Sequence, residues 1–163
     1  MNVECTYYHA PIGWLEINIC DEHLVGLRRI DEPPCPIPPV SALGAETIRQ
    51  LEAYFQRRLQ QFDLPLRFDS GTPFFREVWS RVLEVPYGQT TTYGAIAARL
   101  GQPAAARAVG NANRHNPIAI VVPCHRVIAS NGHLQGYFYG LDVKARLLQL
   151  ENPAAFGQQL SLF

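Results

Sequence analysis

Five prolines lie within residues 31–39, in the stretch "DEPPCPIPPV". Proline fixes φ and has no backbone N–H, so this run excludes both a helix and a central strand. We therefore expect a loop or stiff linker here. Cys35 lies inside the run, but no neighbouring residue would activate its thiol. The proline run should separate one type of secondary structure from another.

The residues on either side of the proline run have different periodicities. The segments "VECTYYH", "WLEINIC" and "HLVGLRRI" alternate or are rich in β-branched residues, which predicts an antiparallel meander. After Ser41, a candidate N-cap, apolar residues recur at near-helical spacing as far as Leu59, which predicts a helix that covers the sheet. The segment "LPLRF" is a further strand candidate.

The second half of the chain is predicted to be mostly helical. The turn-forming stretch "DSGTP" marks a boundary between an N-terminal lobe, 1–70, and a C-terminal lobe, 71–163. Helical patterns follow in "FFREVWSRVLEV", in "TYGAIAARLG" behind a Thr cap and ending at Gly101, in "QPAAARAVGNANRH" entered through Pro103, and in "LDVKARLLQLE". The expected fold class is α+β.

Composition limits the cellular setting and the kind of site. No leader-like segment begins the sequence and no apolar run approaches the roughly 18 residues of a membrane span, which favours a soluble, cytoplasmic protein. The four cysteines are too scattered for a disulfide framework or a paired-cysteine metal site, so we expect them to be reduced. A zinc site is conceivable on the early strands but less favoured than a half-buried sheet surface; its ligands would be Cys5, His9, Cys20 and His23.

The formal net charge of zero hides an uneven distribution. Residues 1–72 contain six arginines and ten acids, whereas residues 73–163 contain eight basic residues and four acids. No acid occurs between Glu84 and Asp142. A phosphate backbone would tolerate such a face, although solvated arginines on a neutral helical core would have the same composition.

Two short helices joined at Gly101 have the form of a helix-turn-helix, which often presents one helix to DNA. Ala104, Ala105 and Ala106 leave the start of the second helix almost without side chains, and Arg107 follows them. A helix this slim would fit the narrow minor groove. Tight packing of the alanines against a neighbouring helix is an equally good reading of this stretch by itself.

Cys124 lies in the run "IAIVVPCHRV" directly before His125. A thiol reacts as the thiolate, so a functional cysteine needs a group that stabilises the anion or removes the proton. Neighbours on a strand point to opposite faces, and the two side chains cooperate only if the backbone turns, which Pro123 favours. Glu151, at the end of the last predicted helix, is a candidate to orient the imidazole.

The motifs "GTPFFREVWSRVLEVPYGQTTTYGAIA", "RAVGNANRHNP" and "PCHRV" together resemble the O6-alkylguanine-DNA alkyltransferases, also called methylated-DNA-protein-cysteine methyltransferases. The resemblance covers residues 71–151 with the motifs in order, and residues 1–70 fit only in outline. It implies a small ribonuclease H-like N-terminal lobe and a winged-helix-like C-terminal lobe with a helix-turn-helix. It also implies a cytoplasmic monomer that uses no cofactor and no metal.

The resemblance implies single-turnover repair. Cys124 would take the alkyl group from O6-alkylguanine in DNA and keep it as a thioether, with O4-alkylthymine left open as a second substrate. His125 would accept the thiol proton through a water, with Glu151 orienting the ring and Asn116 bracing the turns around the cysteine. Family members that bind alkylated DNA without repairing it lack the cysteine, which is present here.

The resemblance also implies how double-stranded DNA is bound through its minor groove. Arg107 would enter the base stack after the target nucleotide rotates out, and Tyr93 would crowd the flanking phosphate. The remaining DNA contacts would be Ala105, Ala106, Arg114 and Ser130. The extruded base would lie against Tyr93, Val127, Tyr137 and the main-chain N–H of Phe138, with the Tyr137 phenol helping guanine to leave.

One stretch departs from the family pattern. The chain reads "GYFYGLDVK", with Phe138 and Tyr139 where the family has a small residue and a glycine. Two aromatic rings at the rim predict a narrower opening that accepts methylguanine and disfavours benzylguanine. Alternatively, both rings point to solvent or stack beside the base without narrowing the opening.

Two rival functions remain open at this stage. A cysteine hydrolase would use the same Cys124, His125 and Glu151, but it would need an oxyanion hole and would turn over many times. A binding module would hold alkylated DNA through the helix pair with little transfer. The number of products per protein and the mass of Cys124 after incubation distinguish these functions.

Overall fold

A computed structural model describes residues 2–134 and 136–157. The chain forms two compact units, one containing the residues before Gly71 together with Pro117–Val121, the other containing Gly71–Asn116 and the chain from Val122 onward. The first change of unit falls where the sequence placed the boundary between its two lobes. Residues 117–121 differ from that division, because they belong to the first unit.

The first unit is built on the three-stranded antiparallel sheet predicted from the sequence. The strands are β1 (Val3–Ala10), β2 (Gly13–Cys20) and β3 (His23–Ile30), in the order β1-β2-β3. Alternate residues of β2 are buried, which is the period expected of a sheet with one covered face. The helix α1 (Ala42–Phe55) contacts β1 and β2, as predicted, and its buried residues include Leu51 and Tyr54.

Helix α1 ends at Phe55, four residues before the end of the apolar pattern at Leu59 that predicted it. Arg57 has a φ of 60°, and the N–H groups of Arg57 and Arg58 donate to the carbonyls of Tyr54 and Ala53 at 3.0 and 2.8 Å. This pair of bonds is a Schellman motif with an arginine in the left-handed position usually taken by glycine. The sequence therefore carried no glycine signal for the true end of the helix.

Two apolar segments that read as strands are irregular. "LPLRF" contributes a single bridge, between Leu66 and Leu24, with no strand of its own. In the run before the cysteine, Ile118 bridges to Leu27, but Ile120 has a φ of 70° and the run turns. Both segments bridge to β3 at the sheet edge without continuing the sheet; residues 118–122 are buried there, whereas "LPLRF" is only half-buried.

The second unit is mostly helical, as predicted. Its elements are the helices α2 (Pro73–Leu83), α3 (Tyr93–Arg99), α4 (Ala106–Arg114), α5 (Leu141–Glu151) and α6 (Pro153–Phe156), the short strands β4 (Thr91–Thr92) and β5 (Val127–Ile128), and the 3-10 helix Cys124–Arg126. Thr72 and Thr92 accept bonds from the N–H groups of Phe75 and Ala95, and so cap α2 and α3. The strands β4 and β5 pair in parallel.

Helices α3 and α4 pack together across a turn at Gly101, which has a φ of 72°. Helix α4 begins at Ala106 and is preceded by Ala105, so the entry through Pro103 predicted from the sequence was three residues too early. Pro103 and Ala104 lie in a turn. The indole N–H of Trp79 donates to the carbonyl of Ala112 at 2.8 Å, which fixes α4 against α2.

The early cysteines and histidines contact other protein groups, and Cys20 and His23 share Asp21 as a partner. Cys5 donates to the Asn18 side chain at 3.0 Å, His9 stacks on Trp14 with ring centroids 4.7 Å apart, and His23 bonds the carbonyl of Asp21. Residues 2–134 and 136–157 contain no group of three or more His, Cys, Asp or Glu side chains placed to hold a metal ion. Within the same residues, no helix is both long and apolar enough to span a membrane.

Candidate active site and DNA-facing helix

The turn that Pro123 predicts at the candidate nucleophile is present as the 3-10 helix Cys124–Arg126. The N–H of Cys124 donates to the carbonyl of Val122 at 2.8 Å, and the N–H of Arg126 donates to that of Pro123 at 2.9 Å. The alternation of a strand is therefore broken at the cysteine. Cys124, His125 and Arg126 are all buried.

Two asparagines hold this turn. Asn116 Nδ2 donates to the carbonyl of Val122 at 2.8 Å, which places the predicted bracing residue immediately before the cysteine turn. Asn113, on α4, donates to the carbonyl of Cys124 at 3.2 Å and was not predicted. Its position four residues after Val109, on the buried face of α4, was the available signal.

The structure brings His125 and Glu151 together. His125 Nε2 lies 2.6 Å from Glu151 Oε1, and both side chains are almost fully buried. Burial acts to raise the pKa of Glu151, but His125 and Arg126 together hold it below its ordinary value. An ionised Glu151 accepts a hydrogen bond from Nε2–H, so the lone pair of the neutral imidazole lies on Nδ1. His125 Nδ1 is buried and has no hydrogen-bond partner among the described residues.

The thiol of Cys124 is protonated at rest. Burial raises its pKa above the ordinary value, while Asn116 and the charge of Lys144 act in the opposite direction. Burial likewise lowers the pKa of His125 against the pull of Glu151. A neutral thiol beside a neutral imidazole, with a carboxylate behind the ring, can form a thiolate when its proton moves to the base.

Lys144 and Arg126 belong to the site although sequence reasoning assigned them no role. Lys144 is fully buried on α5, and its Nζ donates to the carbonyl of Val127 at 2.5 Å and lies 3.5 Å from the hydroxyl of Tyr93. Burial lowers the pKa of Lys144 to about 8. Its signal was its rarity, because it is the only lysine in the sequence.

The residues predicted to line the base pocket differ in burial and in hydrogen bonding. The hydroxyl of Tyr137 is buried without a hydrogen-bond partner in the described structure, and its burial and the nearby Cys124 raise its pKa. The Val127 carbonyl is already bonded to Lys144, and the Tyr93 hydroxyl faces the same lysine. Phe138 is 70% exposed.

The aromatic rim is a tight turn. The N–H of Gly140, whose φ is 97°, donates to the carbonyl of Tyr137 at 3.1 Å, so Phe138 and Tyr139 occupy the corners of the turn. The Tyr139 ring meets the rings of Tyr137 and Phe138 edge to face, with centroids 5.7 and 5.2 Å away. Phe138 thus projects to solvent, whereas Tyr139 packs beside the pocket tyrosine.

The predicted DNA contacts lie on the accessible surface of the second unit. Arg107, Arg114 and Ser130 are exposed, and Ala105 and Ala106 are half-buried at the start of α4. Neither arginine forms an ion pair with another described residue. Tight packing does not account for all of the alanines around the start of α4, because Ala104 and Ala108 are exposed.

Comparisons with known proteins agree with this site. Residues 73–153 match the family described as 6-O-methylguanine DNA methyltransferase, DNA binding domain. A methylated-DNA-protein-cysteine methyltransferase of Mycolicibacterium paratuberculosis is 46% identical over 155 residues, which cover 91% of this chain and 92% of that protein. The protein of the same name from Methanosarcina acetivorans is 58% identical over 106 residues, covering 65% of this chain and 67% of its own.

Solved structures give the same result over nearly the whole chain. The O6-methylguanine methyltransferase of Mycobacterium tuberculosis aligns with a TM-score of 0.84 at 42% identity, covering 93% of this chain and 94% of its own. A structure of the M. tuberculosis OGT in complex with DNA aligns with a TM-score of 0.83 at 43% identity, covering 91% and 92%. With its buried Cys124, His125 and Glu151 in place, the chain belongs to the methylated-DNA-protein-cysteine methyltransferase family.

Proposed function

We propose that this protein repairs O6-alkylguanine in double-stranded DNA by transferring the alkyl group to its own Cys124, once per molecule. The observation that carries the proposal is the buried arrangement of Cys124, His125 and Glu151, in which the imidazole has a free Nδ1 and a carboxylate behind it. Relatives that cover nine-tenths of the chain are named methylated-DNA-protein-cysteine methyltransferases. O4-alkylthymine is a further substrate to test.

The proton of the thiol moves first. His125 accepts it at Nδ1, through a water in our mechanism, and the imidazolium that forms is stabilised by Glu151 at 2.6 Å. Asn116 and the positive charge of Lys144 favour the resulting thiolate, since both oppose the rise in the pKa of Cys124 that burial causes. The burial that keeps the resting thiol neutral also leaves the thiolate poorly solvated and reactive.

The displacement forms one bond and breaks one bond. The Cys124 sulfur attacks the alkyl carbon in line with the leaving oxygen, and the electron pair of the carbon–oxygen bond stays on guanine. Guanine takes up a proton, which we assign to the buried hydroxyl of Tyr137, and Tyr137 regains a proton from the imidazolium of His125, which holds the proton lost by the thiol. The thioether product is chemically stable, so each molecule reacts once.

DNA would approach through helix α4. The reactive thiol is only 4% exposed, so the target nucleotide must leave the stack to reach it. We assign Arg107 to the vacated space in the stack, the half-buried alanines Ala105 and Ala106 to the minor groove, and Arg114 and Ser130 to the backbone. Tyr93 would crowd the flanking phosphate and border the pocket with Val127 and Phe138.

Finer features of the fold and setting form part of the same proposal. We describe the first unit as ribonuclease H-like and the second as winged-helix-like, with α3 and α4 as the helix-turn-helix. We expect a monomer that uses neither cofactor nor metal. A cytoplasmic location fits a reaction that consumes a reduced thiol, because oxidising compartments convert thiols to disulfides.

The alternative functions have less support. A module that only binds alkylated DNA would not need a buried thiol with a base and a carboxylate assembled behind it. A cysteine hydrolase would need donors for an oxyanion beside Cys124, and its product would leave the protein. Both relatives cited above are named methylated-DNA-protein-cysteine methyltransferases.

The decisive experiment is incubation of the protein with a duplex that contains one O6-methylguanine, followed by intact-mass analysis and peptide mapping. We expect each molecule to gain the mass of one CH2 group on Cys124 and the reaction to stop at one product per protein. A Cys35→Ser variant is the matched control, because Cys35 is an exposed thiol that the mechanism does not use. Release of many products, or modification at Cys35 alone, would overturn the proposal.

A further inference from the structure

Glu151 accepts hydrogen bonds from two buried side chains at once. Its Oε1 lies 2.6 Å from His125 Nε2 and 2.9 Å from Arg126 Nη2, and its Oε2 lies 2.9 Å from Arg126 Nε. The guanidinium therefore meets the carboxylate at two points, the geometry in which such pairs are strongest. His125 shares its carboxylate with a permanent cation.

Arg126 is held in place by further contacts. Its Nη1 donates to the carbonyl of Val85 at 2.7 Å, its guanidinium carbon lies 5.7 Å from the centroid of the Tyr87 ring, and the residue is 6% exposed. A guanidinium does not lose its proton in proteins. The positive charge of Arg126 thus stays beside Glu151 in every protonation state of His125.

We propose that Arg126 is a positioning residue that neutralises Glu151 and so keeps His125 uncharged, and able to act as a base, while the thiol is at rest. This inference rests on the proposed function, because a ring that already holds a proton cannot accept one from Cys124. A histidine and a glutamate buried alone would favour the imidazolium-carboxylate pair, since their attraction is strong away from water. The guanidinium removes much of that advantage.

The charges around His125 agree with this balance. Glu151 and Lys144 act on the ring from α5, and Cys124 and Arg126 flank it on the 3-10 helix. Burial lowers the pKa of His125, Arg126 and Lys144 act in the same direction, and Glu151 acts against them. Without the charge of Arg126, Glu151 would be the dominant partner and the imidazolium would form more readily.

Loss of that charge should therefore make the resting thiol more reactive. In Arg126→Gln, which keeps an amide donor, and in Arg126→Met, the proton of Cys124 should pass to His125 at lower pH. A thiol ionisation one pH unit lower gives about ten times more thiolate at neutral pH, but the weaker nucleophilicity of a low-pKa thiolate reduces the net gain in reaction with iodoacetamide to about threefold. Arg126→Lys keeps the charge and should stay near the unmodified protein.

Local loosening of the site could also expose the thiol, so the imidazole itself is the better readout. We would follow the His125 ring by NMR against pH in the unmodified protein and in the three variants, with thermal unfolding as a check on folding. In the unmodified protein the pKa of the His125 ring should lie below about 6.5, and in the two neutral variants it should lie above this value. Solvent exposure of the ring by itself would bring its pKa only to about 6.5. In the double variant Arg126→Gln/Glu151→Gln, which also removes the carboxylate, the pKa of the His125 ring should return to about 6.5 or below.

The outcomes separate this inference from the proposed function. An unmodified His125 that is protonated at pH 7, or neutral variants that titrate at or below about 6.5, would overturn it. If neither neutral variant folds, the pKa of the His125 ring in the unmodified protein and in Arg126→Lys tests the proposal. In both proteins this pKa must lie below about 6.5. Methyl transfer with unshifted titrations would reject only the role of Arg126. Shifted titrations without methyl transfer would reject only the proposed repair function.

Discussion

Two regions of the second unit differ in whether their charged groups are buried and paired or exposed and unpaired. The reactive centre, which comprises Cys124, His125, Arg126, Lys144 and Glu151, is buried, and its charged groups are tied to one another or to backbone carbonyls. The α4 surface, which comprises Ala105, Ala106, Arg107 and Arg114, is accessible to solvent, and its two arginines form no ion pair with a described residue.

In our proposal the reactive centre carries out the chemical step, and the α4 surface recognises the duplex. Buried charges are costly unless they are paired, so the reactive centre must be assembled by folding itself, before any substrate arrives. Exposed arginines carry little desolvation cost, and in our proposal the DNA backbone pairs with them. Changes in the reactive centre should therefore affect the chemical step on every substrate, whereas changes on the α4 surface should affect only substrates that must be extracted from a duplex.

The largest effect is expected at the nucleophile. Cys124→Ser should abolish methyl transfer to below detection while leaving affinity for a methylated duplex unchanged, because a serine hydroxyl gives almost no anion near neutral pH. Intact-mass analysis reports the transfer and a gel-shift titration reports the binding. Any methyl group found on the variant would refute the assignment of the nucleophile.

The α4 surface is tested by Arg107→Ala. We expect repair of O6-methylguanine in a duplex to slow about tenfold or more, because extrusion of a base costs a few kcal/mol and each 1.4 kcal/mol lost is a factor of ten. Transfer from a free guanine derivative should be unaffected. Arg99→Ala is the matched control, since Arg99 is an exposed arginine of the same unit that is already paired with Glu84 at 2.6 Å. Equal losses on both substrates would contradict the intercalating role.

The aromatic rim lies between the two regions and should affect substrate size. Tyr139→Gly should raise the rate with benzylguanine relative to methylguanine about tenfold, because Tyr139 packs against Tyr137 where a large alkyl group would lie and a poor steric fit is worth about 1–3 kcal/mol. Phe138→Ala should change the ratio less, since Phe138 projects to solvent. The narrowed-rim hypothesis fails if the unmodified protein consumes both bases equally or if Tyr139→Gly leaves their ratio unchanged.

The last expected effect is on stability rather than on activity, through its dependence on pH. The pKa of Lys144 is lowered to about 8 from 10.5 in the folded protein, so between these values the unfolded chain holds more protons. The stability of the unmodified protein should then rise relative to Lys144→Met as the pH increases from about 8 to 10, by at most about 3 kcal/mol. Chemical unfolding of both proteins across this range measures the difference. If the free energies of unfolding of the two proteins change in parallel with pH, burial does not lower the pKa of Lys144.

Local signals explain what could be predicted. The meander, the Thr caps of α2 and α3 and the turn at Gly101 follow from alternation, side-chain oxygens and a glycine that lie within a few residues of the feature they determine. Pro123 predicted the turn that frees Cys124 from the alternation of a strand. The end of α1 was misplaced because an arginine adopts the left-handed conformation there.

The sequence by itself predicted the class of fold, the Cys-His pair, Glu151 as a candidate partner for it, and the α4 arginines, because each is marked by residue type and by spacing along the chain. Only the tertiary structure decided which charges meet in the interior. Arg126 and Lys144 acquire their roles from Glu151, Val85, Val127 and Tyr93, which lie 17 to 51 residues away in the sequence. Burial then turns these distant contacts into lowered and raised pKa values, because a charge away from water depends on whatever partner the fold places beside it.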